Sequence, residues 1–178
     1  MKPVFDTPPR TIMEVYKNLP EGTLAELIDN VIYMSPSPVK NHQQVLQTIF
    51  RRLSEAIDDV GKGEVIIAPF DVYLDATSNA VQPDIIVILN SNKGQSKPNG
   101  HFHGVPDVIV EILSPGNKDY DLVKKKELYE RFGVKEYWIV DPESKETIGY
   151  FLQDSKFIKL AHEKRNITFK LLKLTISF

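Results

Sequence analysis

The amino-acid sequence predicts a single α/β or α+β domain over residues 1–178, a mixed β-sheet flanked by helices, with an N-terminal hairpin and antiparallel strands at the C-terminal end. Three observations predict it. The runs Ile85-Ile86-Val87-Ile88-Leu89 and Val108-Ile109-Val110-Glu111-Ile112-Leu113 are apolar toward both faces, as central strands are. Residues 39–59 repeat apolar side chains at three- and four-residue steps, the mark of an amphipathic helix. A chain of 178 residues, 42% hydrophobic and 26% charged, is also long enough to bury one sizeable core.

From the start of the chain, Thr11-Ile12-Met13-Glu14 has the form of a capping box, so a short helix follows and stops near Pro20. Ala25-Glu26-Leu27-Ile28 and Val31-Ile32-Tyr33-Met34 flank Asp29-Asn30, a pair that tolerates positive φ and suits a tight hairpin. In the helix of residues 39–59, Val45, Ile49, Leu53 and Ala56 form the core face, and Gln43, Gln47, Arg51 and Glu55 take the others. Extended segments follow at Val65 to Ala68, Phe70 to Leu74, Ile85 to Leu89 and Val108 to Leu113. Between the last two, residues 90–106 are rich in Asn, Ser, Lys, Gly and His and read as a long surface loop. A helix runs from about Lys118 to Phe132 and ends at Gly133. Glu136 to Val140 returns to strand, and Ile148 to Leu152, Phe157 to Leu160 and Ile167 to Leu174 read as antiparallel strands. Neither an internal repeat nor a low-complexity segment interrupts this order.

Composition narrows the function. A formal net charge of −2 provides no chain-wide basic field, so contact with nucleic acid has to come from a local patch. Without cysteine there is no disulfide framework and no thiolate metal site; a metal has to be held by oxygen or histidine. The start, Met1-Lys2-Pro3-Val4-Phe5-Asp6, lacks the apolar stretch of a secretory signal, and no run reaches the ~20 residues that cross a bilayer. The expectation is a cytoplasmic protein without membrane contact.

Asp84 stands at the entry of one buried strand and Glu111 near the exit of another. If the two strands are antiparallel neighbours, both carboxylates meet at one edge of the sheet. A carboxylate inside Val110-Glu111-Ile112 is costly to bury unless it is paired, hydrogen-bonded or bound to a cation. Two such acids sharing one spot call for a proton or a divalent metal, and hard oxygen ligands suit magnesium (Mg2+) or manganese (Mn2+). On a helical wheel of about 100° per residue, Leu122, Leu128, Tyr129 and Phe132 share a stripe with Lys125 close to its centre. Lys124 points the opposite way and Lys126 lies at the margin. Lys125 is therefore expected to face the sheet, with Asp121 one turn earlier as an orienting or i,i+4 partner.

Gln82-Pro83-Asp84-Ile85, Pro106-Asp107-Val108-Ile109-Val110-Glu111-Ile112-Leu113-Ser114-Pro115, Lys125 and Gly133-Val134-Lys135-Glu136-Tyr137-Trp138-Ile139-Val140-Asp141-Pro142 resemble the Uma-type family of putative restriction endonucleases, placed in the PD-(D/E)xK nuclease superfamily. The likeness extends to Glu26-Leu27-Ile28-Asp29, Met34-Ser35-Pro36 with His42, and Ala68-Pro69-Phe70-Asp71-Val72, and so covers nearly the whole chain. It implies a restriction-endonuclease-like fold, with Asp84, Glu111 and the backbone carbonyl of Ile112 as metal ligands and Glu26 as a further acid from an earlier element. Two departures stand out. The position two after Glu111 is Leu113 rather than lysine, so the resemblance implies that Lys125 serves from the helix. Asn30 stands where the family usually has glycine, which asparagine replaces with little backbone cost.

The implied reaction is metal-dependent hydrolysis of a phosphodiester, with DNA as the expected partner and Lys125 stabilising developing negative charge or positioning water. Arg51, Arg52, Lys93, Lys97 and Lys126 would supply phosphate contacts without base specificity. The alternative is a catalytically inactive module of the same fold that binds nucleic acid or a protein partner; a third reading is a homodimer built on the Trp138 strand. Taken singly, the residues have blander roles. Pro83-Asp84 is a turn into a strand, Glu111 a buried acid satisfied by N–H groups or an arginine, and Lys125 a bridge to Asp121 or Glu111. Glu26 is equally a solvent-facing hairpin acid. His42 reads as a cap-region or core histidine, and His101 and His103 as part of a solvated loop.

Overall fold

The computed structural model describes residues 8–92, 94–96, 100–114 and 120–178. In chain order its elements are α1 (Ile12–Lys17), β1 (Ala25–Ile28), β2 (Val31–Met34), α2 (Lys40–Ala56), β3 (Gly63–Ile67), β4 (Val72–Tyr73), β5 (Ala80–Val81), β6 (Ile85–Leu89), β7 (Gln95–Ser96), β8 (Phe102–His103) and β9 (Val108–Ile112). A π-helical segment (Tyr120–Lys125) then runs into α3 (Lys126–Phe132), followed by β10 (Glu136–Val140), β11 (Glu146–Gln153), β12 (Lys156–Lys164), β13 (Asn166–Phe169) and β14 (Leu174–Ser177).

The expected mixed sheet is present in the order β12-β11-β10-β9-β6-β3, with β9 and β10 parallel and the other pairs antiparallel. The two apolar runs are its interior strands β6 and β9, because a strand apolar on both faces is stable only where both are covered. One face packs under α2, whose Val45, Ile49 and Leu53 meet Ile85, Val87, Val108, Val110 and Trp138. The opposite face, carrying Ile86, Ile109, Tyr137 and Ile139, packs against Leu128 and Tyr129 of α3 and against Ile28, Val72 and Phe102. Alternation thus sends successive side chains of one strand to different layers.

One sheet was expected, and the described residues form more. A second six-stranded sheet runs β2-β1-β5-β4-β8-β7, and β13 and β14 make a separate hairpin. The supposed surface loop of residues 90–106 supplies β7 and β8 to the second sheet, and Phe102 there is fully buried. Strands two residues long leave no periodicity to read, which is why these and β5 escape the sequence. The N-terminal hairpin has the expected turn, with Asp29 at φ 48° and Asn30 at φ 64°. In the α1 cap, Glu14 N donates to Thr11 Oγ1 at 3.2 Å, but the return bond comes from Arg10 N at 2.5 Å rather than from Thr11 N. Gly133 closes α3 in the left-handed conformation at φ 84°.

Trp138 is wholly buried in this chain, and β10 has both edges paired, so its aromatic face belongs to the core rather than to a dimer surface. No helix among the described residues is long and apolar enough to cross a membrane.

Candidate active site

In the register of β6 against β9, Ile85 opposes Val110, which brings Asp84 and Glu111 side by side on the α3 face of the sheet. The antiparallel pairing that their convergence requires is therefore present. Asp84 N approaches Glu111 Oε2 at 3.4 Å, while Ile112 N donates to Asp84 Oδ2 at 2.7 Å. Glu111 is 3% exposed, and such a carboxylate needs partners. It finds them on the helix: Lys125 Nζ at 2.9 Å and the Tyr129 hydroxyl at 2.7 Å both donate to Oε1. Burial first, and the Glu111 charge second, push the Tyr129 hydroxyl well above its ordinary range, so it stays a donor.

Glu26 reaches the same place from the second sheet. It lies on the face of β1 that carries Ile28, and alternation turns it inward rather than to solvent; it is 3% exposed. Its Oε2 stands 3.1 Å from Lys125 Nζ, and its Oε1 accepts from Gln82 N at 2.9 Å. Lys125 thus joins an acid from each sheet. It faces the sheet as the wheel indicated, although a π-helical turn precedes α3. Lys124 departs from the wheel: its ammonium binds the Tyr33 hydroxyl and lies 4.4 Å from the ring centroid, against β2 rather than away from it. Lys126 sits over the Tyr150 ring at 4.8 Å.

His42 joins the group although sequence reasoning left it among caps and core. In the first turn of α2 and 3% exposed, it places Nε2 3.1 Å from Asp84 Oδ2. Its sequence signals were its position at the start of a helix and its place, with Met34-Ser35-Pro36, in the family resemblance. Tyr129 was legible as a core residue, four after Lys125, but not as a partner of Glu111.

Glu26, His42, Asp84, Glu111 and Lys125 line one cavity of about 300 Å3, whose wall also includes Met34, Pro36, Pro38 and Ser114. Three carboxylates, Glu26, Asp84 and Glu111, face one ammonium, Lys125, which leaves a formal charge of −2. Among the described residues no three His, Asp or Glu side chains form a ready metal cage. The donor chemistry fits a magnesium-like ion in a looser way, as such an ion is usually held by one or two carboxylates and keeps several waters.

Other sequence candidates lie elsewhere. Arg51 and Arg52 follow His42 by nine and ten residues, about 14–15 Å along α2 at the usual helical rise, and Arg52 pairs with Glu55 at 3.3 Å beside β14. Lys93, Lys97, Lys118 and the side chain of Asp121 lie outside the described residues. His101 approaches Asp71 at 3.5 Å, and His103 stacks on Tyr73 at 4.7 Å. Of the two Pro-Asp pairs, the second is structural: Asp107 accepts from Leu89 N at 2.8 Å and from Lys135 Nζ at 2.5 Å.

No curated protein matches this chain. Among solved structures it is similar to the crystal structure of a putative nuclease belonging to DUF820 from Anabaena variabilis, with a TM-score of 0.76 and 19% sequence identity over 95% of each chain. At that identity the likeness speaks for a shared restriction-endonuclease-like fold. A family described as "Uma2: Putative restriction endonuclease" matches residues 13–174, a span that contains every residue of the cavity. The chain therefore belongs to the Uma2 family, whose restriction-endonuclease-like fold brings Glu26, Asp84, Glu111 and Lys125 into a single pocket.

Proposed function

We propose that the chain is a divalent-metal-dependent endonuclease that hydrolyses phosphodiester bonds in DNA. The carrying observation is the convergence of two strand carboxylates and a helix-borne ammonium, from positions 27 and 14 residues apart, in one cavity. With Glu26 included, the cavity has an excess of negative charge that repels a phosphodiester unless a cation enters. Asp84 and Glu111 would hold that cation, magnesium or manganese, with the Ile112 carbonyl as a further ligand. When bound, the ion supplies Lewis acidity toward the phosphoryl oxygen and lowers the pKa of water.

The chain's own groups do the rest. Ile112 N and His42 fix Asp84 through Oδ2, and Tyr129 and Lys125 fix Glu111 through Oε1. Glu26, itself anchored by Gln82 N, holds the Lys125 ammonium at the cavity, where it stabilises the negative charge that develops on the phosphoryl oxygens. Purified protein incubated with supercoiled DNA, linear DNA and RNA should cut DNA internally with magnesium or manganese and stop on chelation. Unchanged cutting by Asp84→Ala contradicts the proposal.

One observation favours a second reading. Lys125 bridges Glu26 of one sheet and Glu111 of the other, and that triad fastens the two sheets whether or not an ion binds. The chain would then be a nuclease-fold module that holds nucleic acid or a protein partner without cutting. Salt-dependent DNA binding with no cleavage in either metal is its signature.

A further inference from the structure

Beside the acidic pocket lies a second cavity of about 580 Å3, within the range of small-ligand sites, that the hydrolytic chemistry does not use. The two cavities share Pro69 and Gln82 as a common wall. Gln82 spans that wall: its backbone N–H donates to Glu26 Oε1 at 2.9 Å on one side, and its side-chain amide donates to Asp71 Oδ1 at 2.8 Å on the other.

We infer that this second cavity receives one nucleobase bearing an exocyclic amino group, from a nucleotide next to the bond being cut; the nucleic-acid character of the ligand rests on the nuclease reading of the first pocket.

The aromatic side of the cavity suits a base. His101 is half exposed, and its ring is held edge-on by Tyr73 at 5.6 Å, with Phe70 6.3 Å away at a tilt of 48°. Tyr73 is in turn backed by the stacked ring of His103. An accessible ring held in place by other rings is what stacking a base requires. The polar side has a fixed acceptor. Asp71 Oδ1 takes the Tyr16 hydroxyl at 2.9 Å as well as the Gln82 amide, which immobilises the carboxylate. Among the described residues, Asp71 Oδ2 has only His101 Nδ1 at 3.5 Å, longer than a good hydrogen bond, and so keeps acceptor capacity. Burial first, and Asp71 second, push the Tyr73 hydroxyl up to about 12, so Tyr73 itself adds no anion beside Asp71; the other carboxylate of the lining, Glu21, is exposed.

A carboxylate that only accepts selects ligand N–H groups and repels a phosphate. Amino groups of cytosine, adenine and guanine meet that demand, whereas the one edge donor of thymine is flanked by two carbonyl oxygens that face the carboxylate unfavourably. Lys17, exposed at the rim with its ammonium 5.2 Å from the Tyr73 ring centroid, suits the accompanying phosphate. The base has to leave its stack to enter, so single-stranded or locally opened DNA is the form bound.

The test is binding without cleavage. The intact chain in chelator is titrated with dAMP, dCMP, dGMP and dTMP while the His101 imidazole signals are followed by nuclear magnetic resonance, alongside His101→Ala and Asp71→Asn checked for native melting. The three amino-bearing nucleotides should shift His101 and bind at least about fivefold more tightly than dTMP. His101→Ala should weaken them about tenfold, in the range of one lost base–aromatic stack, and Asp71→Asn should erase the difference between dCMP and dTMP. Unmoved His101 signals, equal affinity for dCMP and dTMP in the wild type, or unaltered affinity in His101→Ala would overturn the assignment. A chain that binds in this way but cuts nothing keeps the base site and loses the nuclease reading; one that cuts DNA but fails these titrations does the reverse.

Discussion

Glu111 Oε1 accepts a hydrogen bond from the Lys125 ammonium at 2.9 Å, although strand and helix residue are 14 positions apart. The parallel pairing of β9 with β10 accounts for it. Parallel neighbours need a crossover, and the crossover here carries the π-helical turn and α3 over the face from which Glu111 projects. A cation on the inner stripe of that crossover therefore reaches the buried acid.

Replacing that cation leaves two buried carboxylates uncompensated. Lys125→Met should lower stability by about 3–5 kcal/mol, the usual cost of breaking a buried ion pair, measured by denaturant unfolding in chelator. Adding Glu26→Gln should restore part of the loss. Magnesium should raise the unfolding midpoint of Lys125→Met more than that of the wild type.

Asp84→Ala and Lys125→Ala should each reduce DNA cleavage about 100-fold or more, as expected for groups that act on charge developing in the transition state. His42→Ala should cost less, about tenfold, because Ile112 N still holds Asp84 Oδ2. Initial rates at saturating magnesium, with circular dichroism as the folding control, give the order.

Tyr129→Phe removes one of the two groups that orient Glu111 Oε1. Stability should fall by about 1–2 kcal/mol for the lost buried hydrogen bond. Cleavage should fall with it, while the metal concentration for half-maximal rate rises.

Much of this was legible in the sequence, and for physical reasons. The β6 and β9 runs are apolar throughout apart from one acid, and that contradiction at Glu111 marked the site. The Lys125 stripe survived the π-helical turn because α3 itself keeps Leu128 and Tyr129 inward. What was not legible depended on contacts between layers. Nothing in a two-residue strand announces the second sheet, so Glu26 had no visible route inward. His42 reaches Asp84 only because α2 begins at the end of the sheet where β6 starts. The basic residues read as a substrate patch include Arg52, which the length of α2 carries away from the pocket.

Alkaline pH should unfold the chain. Burial raises the hydroxyls of Tyr16, Tyr73, Tyr129 and Tyr150 above the ordinary 10.0. Above pH 10 the unfolded chain therefore releases protons that the folded chain keeps, so stability falls as pH rises through that range. Equilibrium unfolding between pH 9 and about 12 should show the decline. Absorbance near 295 nm should show Tyr16, Tyr73, Tyr129 and Tyr150 ionising late, together with loss of structure.

Gly149 pairs with Trp138 across β10 and β11, and a methyl group there would stand 2.6 Å from the indole ring. Gly149→Ala should destabilise by about 1–3 kcal/mol through overpacking, read from denaturant midpoints, and should leave the pocket's metal response unchanged.

The most direct measurement is a crystal structure with manganese, located by its anomalous signal. A single strong peak between the Asp84 and Glu111 carboxylates, lost in Asp84→Ala crystals, is the predicted result. A pocket that stays free of manganese while Lys125 still bridges Glu26 and Glu111 would contradict the metal-dependent account.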